Sequence, residues 1–127
     1  MRSQPVTRED LELARDIAIY GLIARALMSR GAEVSVSTKK LIKAYMQFFA
    51  DDEDELGRVK QAAERPVMLG LIKYYLNIIA NYSGFLSRTW DVSGGTLYLF
   101  DARKLRDALN EDPQRLVEYL NEVVADA

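Results

Sequence analysis

The sequence predicts a mainly α-helical chain carrying a small β-hairpin, and three observations lead there. Apolar residues recur at 3- and 4-residue spacing in several long segments, the signature of helices with one buried face. Phe85 to Val92 and Thr96 to Phe100 are instead rich in aromatic and β-branched residues and flank Ser93-Gly94-Gly95, a hairpin turn signal. Helix-start signals also stand where the helical segments begin: Thr7 with Asp10, Ser37, Pro66, Asp101 and Asp112-Pro113. With 127 residues the chain is one domain, long enough to bury a core without disulfides or a metal.

Composition narrows the chemistry. Hydrophobic residues make up 49% and charged residues 28% of the chain, as in ordinary globular proteins. There is no cysteine, which excludes disulfides, thiol catalysis and zinc–thiolate sites, and no histidine, the commonest general base and metal ligand. No Ser, Thr or Lys has a recognisable activating partner, so the expectation is a binding protein rather than an enzyme, with no cofactor. The formal charge is -2, so nucleic-acid binding requires a local basic patch segregated from the acids. The longest near-apolar run, Ile17 to Ala24, falls well short of the ~20 residues of a membrane span. The start, MRSQPVTRED, lacks the apolar core of a signal peptide. A cytoplasmic protein is expected, and the scarcity of thermolabile residues points to a thermophile.

Residues 1–6 read as a short lead. The first helix runs from about Arg8 to Ser29 or Arg30, with Gly31 as its stop. Because Ile17 to Ala24 is apolar all round, this helix is a buried scaffold. Val34 to Val36 alternates like a short strand, and a second helix follows from Thr38 to about Ala50. Its apolar face is Leu41, Ile42, Tyr45, Phe48 and Phe49, and its opposite face carries Lys39, Lys40, Lys43 and Gln47. Asp51 to Glu55 is a run of acids suited to a solvated turn or a helix N-terminus. It is not a calcium loop, since the alternating ligands, central glycine and closing glutamate are missing. Leu56, Val59 and Ala63 then mark a short amphipathic piece, with Arg58, Lys60 and Arg65 off its apolar side and available to extend the lysine face.

A helix from Pro66 to about Tyr82 is so apolar that one narrow stripe stays open: Gly70, Lys73, Asn77 and Asn81, flanked by Tyr74. Ser83-Gly84 ends it. A two-residue Gly94-Gly95 loop places Val92 opposite Leu97, Trp90 opposite Leu99 and Arg88 opposite Asp101. Asp101 caps a helix from Ala102 to Leu109, and the last helix runs from Pro113 to about Val124.

Helix, short strand, helix, helix, strand, turn, strand resembles the winged helix-turn-helix superfamily. The segment LIKYYLNIIANYSGFLSRTW is similar to its recognition helix and first wing strand, with Leu71, Tyr75, Leu76 and Ile79 at core positions. The resemblance covers 7–101 and leaves 102–127 as a helical extension. It departs between the second and third helices, where residues 50–65 replace a turn of a few residues. It implies double-stranded DNA as partner and a role in transcriptional regulation. Base contacts then fall to Lys73, Asn77 and Asn81, and backbone contacts to Arg88 of the wing together with Lys39, Lys40 and Lys43. The tip, Ser93 to Gly95, carries no cation.

Plainer readings stand beside these. Tyr74, Tyr82, Phe85, Trp90, Tyr98 and Phe100 suit core and hairpin packing better than a stacking platform for single strands. The apolar face of the last helix (Leu116, Val117, Leu120, Val123, Val124) either packs on the first helix or pairs with a second copy in a homodimer. A protein-interaction module, in the same fold or as a plain helical bundle, is the alternative to DNA binding.

Overall fold

The computed structural model describes residues 6–31, 33–90 and 96–125. Nine elements follow in order: α1 (Arg8–Met28), β1 (Glu33–Val36), α2 (Thr38–Phe48), α3 (Glu53–Ala63), α4 (Pro66–Tyr82), β2 (Leu86–Trp90), β3 (Thr96–Asp101), α5 (Ala102–Glu111) and α6 (Pro113–Ala125). The chain is thus mainly helical with a small antiparallel sheet, and the sheet has three strands in the order β1-β3-β2. The strand expected near Val34 is therefore an edge of the same sheet, with Val36 opposite Tyr98.

Helix α1 is the axis of the core. Leu13, Ile17, Ile19, Leu22 and Ile23 are all buried, and α2, α4, α5 and α6 pack on it. The crossing with α2 is close at Gly21, where an added Cβ would lie 3.1 Å from the Leu41 carbonyl oxygen. Thr7 and Asp10 form the expected reciprocal capping box. The other end is finished differently from expectation. Ser29 turns extended, and the Arg106 guanidinium of α5 donates to the carbonyls of Ala26, Ser29 and Gly31 at 3.1, 2.9 and 2.8 Å. A cation from 75 or more residues away thus satisfies carbonyls that a helix end leaves open and meets the negative end of its dipole.

Residues 50–65, where the chain departs from the superfamily pattern, are largely helix α3. Asp52 caps it by accepting from the Glu55 amide, and Glu53, Asp54 and Glu55 occupy its first turn, where negative charge is favoured. Two polar ties hold it. The Tyr45 hydroxyl of α2 donates to Glu55 at 2.6 Å, and Arg58 grips the same carboxylate through two nitrogens at 2.7 and 3.1 Å. Arg58 holds the Glu55 carboxyl below its ordinary range, while burial, then Glu55, push the Tyr45 hydroxyl up. Arg65, where α3 meets α4, donates to Asp10 of α1 at 2.7 Å. Pro66 then opens α4 at a position where its missing N–H costs nothing.

The hairpin register differs from the expected one. Arg88 lies opposite Tyr98 rather than Asp101, Trp90 opposite Thr96 and Leu86 opposite Phe100; Val92 and the Ser93 to Gly95 turn lie outside the described residues. The shift is three residues, an odd number, so it changes which side chains share a face. Burial favours it: Leu86, Tyr98 and Phe100 share one face and are buried, whereas the expected register puts Leu86 on the face opposite Tyr98 and Phe100. Asp101 has no ion pair with Arg88 and instead caps α5, accepting from the Lys104 amide at 2.9 Å.

Helix α6 lies against α4, α5 and α1, with Leu116, Leu120 and Val124 buried. The Tyr119 hydroxyl stands 3.5 Å from the carbonyls of Tyr82 and Ser83 at the end of α4. The apolar stripe of α6 is thereby filled within one chain, and a homodimer built on that stripe would have to uncover it.

Two stability changes follow from these ties. Replacing Arg106 by Met is expected to lower unfolding free energy in urea by about 1.5–3 kcal/mol, the range for hydrogen bonds from a charged group. It should also speed amide exchange in the last turn of α1. The Asp10 carboxyl is held below its ordinary value chiefly by the Arg65 hydrogen bond. A depressed folded pKa stabilises above the unfolded value of about 3.9 and is lost as pH falls through the folded value. Asp10→Asn should therefore be less stable than wild type at pH 7, with the gap closing as pH drops below the ordinary carboxylate range.

Candidate nucleic-acid interface

Helix α4 buries Met68, Ile72, Leu76, Ile78 and Ile79, which leaves the stripe expected from its periodicity on the outside. Gly70, Lys73, Tyr74 and Asn81 are exposed and Asn77 is half-buried between them. A Cβ at Gly70 would meet nothing within 4 Å, so that end of the stripe is open. The helix stops at Ser83, and Gly84 takes φ +78, a left-handed conformation that glycine adopts without strain. This single break aims the chain from α4 into β2.

The sheet meets that stripe at Asn77. The Tyr98 hydroxyl of β3 donates to the Asn77 side-chain oxygen at 2.6 Å, tying helix to sheet. Tyr98 is otherwise buried, and burial pushes its hydroxyl pKa up while the charge of Arg88 draws it down. Arg88 is its direct cross-strand partner and therefore lies on the same face of the sheet, yet is itself exposed. Lys73, Asn77 and Asn81 share the open stripe of α4, and Tyr98 links Asn77 of that stripe to the strand pair that carries Arg88.

Asn77 has a narrower part than its sequence position suggests. Its oxygen is engaged by Tyr98, so Nδ2 is the group left to face outward. Asn81 is exposed and, among the side-chain hydrogen bonds of the described residues, takes no part. A bidentate contact to an adenine edge needs both amide groups and is available to Asn81.

Lys39, Lys40 and Lys43 are exposed on α2, as expected, but belong to a second group. Lys40 and Lys43 line a depression of about 260 Å³ with Arg25 and Met28 of α1 and Ala44 and Gln47 of α2. No hydrogen bond or ion pair among the described residues joins this group to the α4 stripe. Arg58 and Arg65 do not extend it, being engaged by Glu55 and Asp10. Sequence reasoning passed over Arg25 because it sits in the scaffold helix. The available signal was its 3-residue spacing from Leu22 and Met28 near the end of α1.

The charge pattern along the chain explains how a net charge of -2 coexists with basic surface. Between Pro66 and Trp90 the charged residues are Lys73 and Arg88 alone. Between Arg25 and Ala50 five cations stand against Glu33. The acids are concentrated elsewhere, at the start of α1, at the start of α3 and from Asp101 onward.

Among the described residues no group of three or more acids could hold a metal ion, and no helix is long and apolar enough to cross a membrane. Comparison with protein-family models, with curated proteins and with solved structures finds no match to this chain.

The helix–sheet tie is testable by Tyr98→Phe, which removes the hydroxyl and little else. Because Asn77 is half-buried, water can replace part of the bond, and a loss of about 1 kcal/mol in urea unfolding is expected. The Asn77 side-chain amide resonances should shift, while those of Asn81 stay in place.

Proposed function

We propose that the chain is a DNA-binding protein of the winged helix-turn-helix kind, acting as a transcriptional regulator. The observation that carries this reading is the juxtaposition at Asn77. A buried tyrosine bonds the open stripe of a helix and lies opposite a cation on the following strand. That arrangement suits a duplex, because a helix edge bearing Lys73 and Asn81 can address base edges while Arg88 contacts the adjoining backbone. Element order supports it as well: helix, strand and helices precede a hairpin whose inner strand, β3, also pairs with β1. The added helix α3 lies ahead of α4, and its polar ties run to α2 and back to α1, leaving the stripe of α4 uncovered.

The test is binding to a randomised pool of short duplexes at low salt, followed by a salt titration on the retained sequences. Affinity should fall steeply with salt as neutralised phosphates release counterions. Asn81→Ala should relax sequence preference at one position, at a cost of about 1–3 kcal/mol there. Replacing Lys39, Lys40 and Lys43 together by Ala should weaken binding several-fold or more on every sequence. A wild-type chain that retains no duplex at low salt would sink the reading.

A protein-docking module is the second reading. An apolar depression of about 290 Å³ lined by Phe85, Leu116 and Tyr119, beside the exposed Tyr82, favours it. Recovery of a stoichiometric protein partner, with no duplex retained, selects it.

A further inference from the structure

We infer that the depression between α1 and α2 is a phosphate site, with Arg25 as its fixed member and Lys40 and Lys43 as its adjustable ones. This deepens the DNA reading and rests on it for the source of the phosphate, which is then the duplex backbone.

Several cations among the described residues are answered by protein groups. Arg58, Arg65 and Arg106 are answered by protein: a carboxylate, a carboxylate and three carbonyls. Arg8 on the surface faces Glu12. Arg25, Lys40 and Lys43 instead line one depression together, and no acid lines it with them. Like charges gathered without a counter-charge repel one another, and an anion placed among them removes that repulsion.

Arg25 adds a sharper signal. Its Nε is shut away from water and has no hydrogen-bond partner among the described residues. A buried donor left unmade is costly, and the cost is greater on a charged group. Arg15 also has an unpartnered Nε, but the neighbouring Asp16 carboxylate feels its charge. Arg25 has no such neighbour among the lining residues. Burial of its Nε restricts the guanidinium before any ligand arrives, so less side-chain freedom is lost on binding. A planar fork of N–H donors fits phosphate oxygens, and two lysines bring point charges on flexible stems to the same group. Gln47, at the rim, offers a neutral donor from its amide.

The experiment uses the full chain, with Arg25→Met and the surface variant Lys43→Gln, which removes a charge without touching the core. Duplex affinity is measured across a salt series. Each variant is expected to flatten the slope of log affinity against log salt by up to about 0.9, the value of one phosphate, on every duplex sequence. Wild-type slope in both variants, with wild-type unfolding midpoints, overturns the site while leaving the DNA reading intact. The second arm titrates inorganic phosphate into the wild-type chain and follows the Arg25 Nε–Hε resonance, with chloride at matched ionic strength as control. Movement with phosphate alone, absent in Lys43→Gln, supports the site even where no duplex is retained, and assigns its phosphate to a free ligand. An unmoved resonance together with no retained duplex overturns it.

Discussion

Burial of α1 between Leu13 and Ala26 is the constraint on which the other elements depend. Four helices lie against it, and its buried apolar side chains point in almost every direction, so little of it beyond Arg25 and its ends faces outward. Each fully buried Leu or Ile contributes about 1.5–3 kcal/mol relative to exposure. Summed over the buried Leu and Ile of α1, that outweighs any single polar tie in the molecule. The close crossing at Gly21 sets how deeply α2 sits, and hence brings Lys40 and Lys43 beside Arg25.

Polar contacts then decide alignment where hydrophobic packing is indifferent to it. Hydrophobic burial is non-directional, whereas an arginine on a carboxylate or on helix carbonyls accepts few geometries. Arg65 on Asp10 places the entry of α4 relative to the start of α1, and Arg106 places α5 against its end. Tyr119 does the same for α6 at the end of α4. The C-terminal extension is therefore part of the domain, since it finishes two helices that begin elsewhere.

The functional reading follows from what packing leaves over. Helix α4 buries so much of itself that its open stripe is short, and the tie from Tyr98 to Asn77 joins that stripe to the sheet. Tyr98 also lies opposite Arg88, so the strand that the tie holds to α4 is paired with the one that carries this cation. The lysines of α2 form a separate basic group with its own third cation. On the proposed reading, a duplex engaging both groups is read through α4 and held through α2.

Much of this was legible along the chain. The capping box at Thr7 and Asp10, the proline starts at Pro66 and Pro113, the Asp101 cap and the stripe Gly70, Lys73, Asn77, Asn81 all depend on neighbours within a few residues. Local rules therefore place them. The hairpin register was not legible, because it turns on whether Leu86, Tyr98 and Phe100 reach one core together. The end of α1 escaped for the same kind of reason: Gly31 looked like its stop, but Arg106 supplies it from another helix. Asn77 and Asn81 read alike in sequence, and only the Tyr98 hydroxyl separates them. Arg25 looked like a scaffold residue until α2 lay against it. Sequence alone determined most of the elements, their order and the open faces of α2 and α4, since those obey spacing and propensity. Tertiary structure decided which exposed groups meet, since that depends on contacts between residues far apart in the chain.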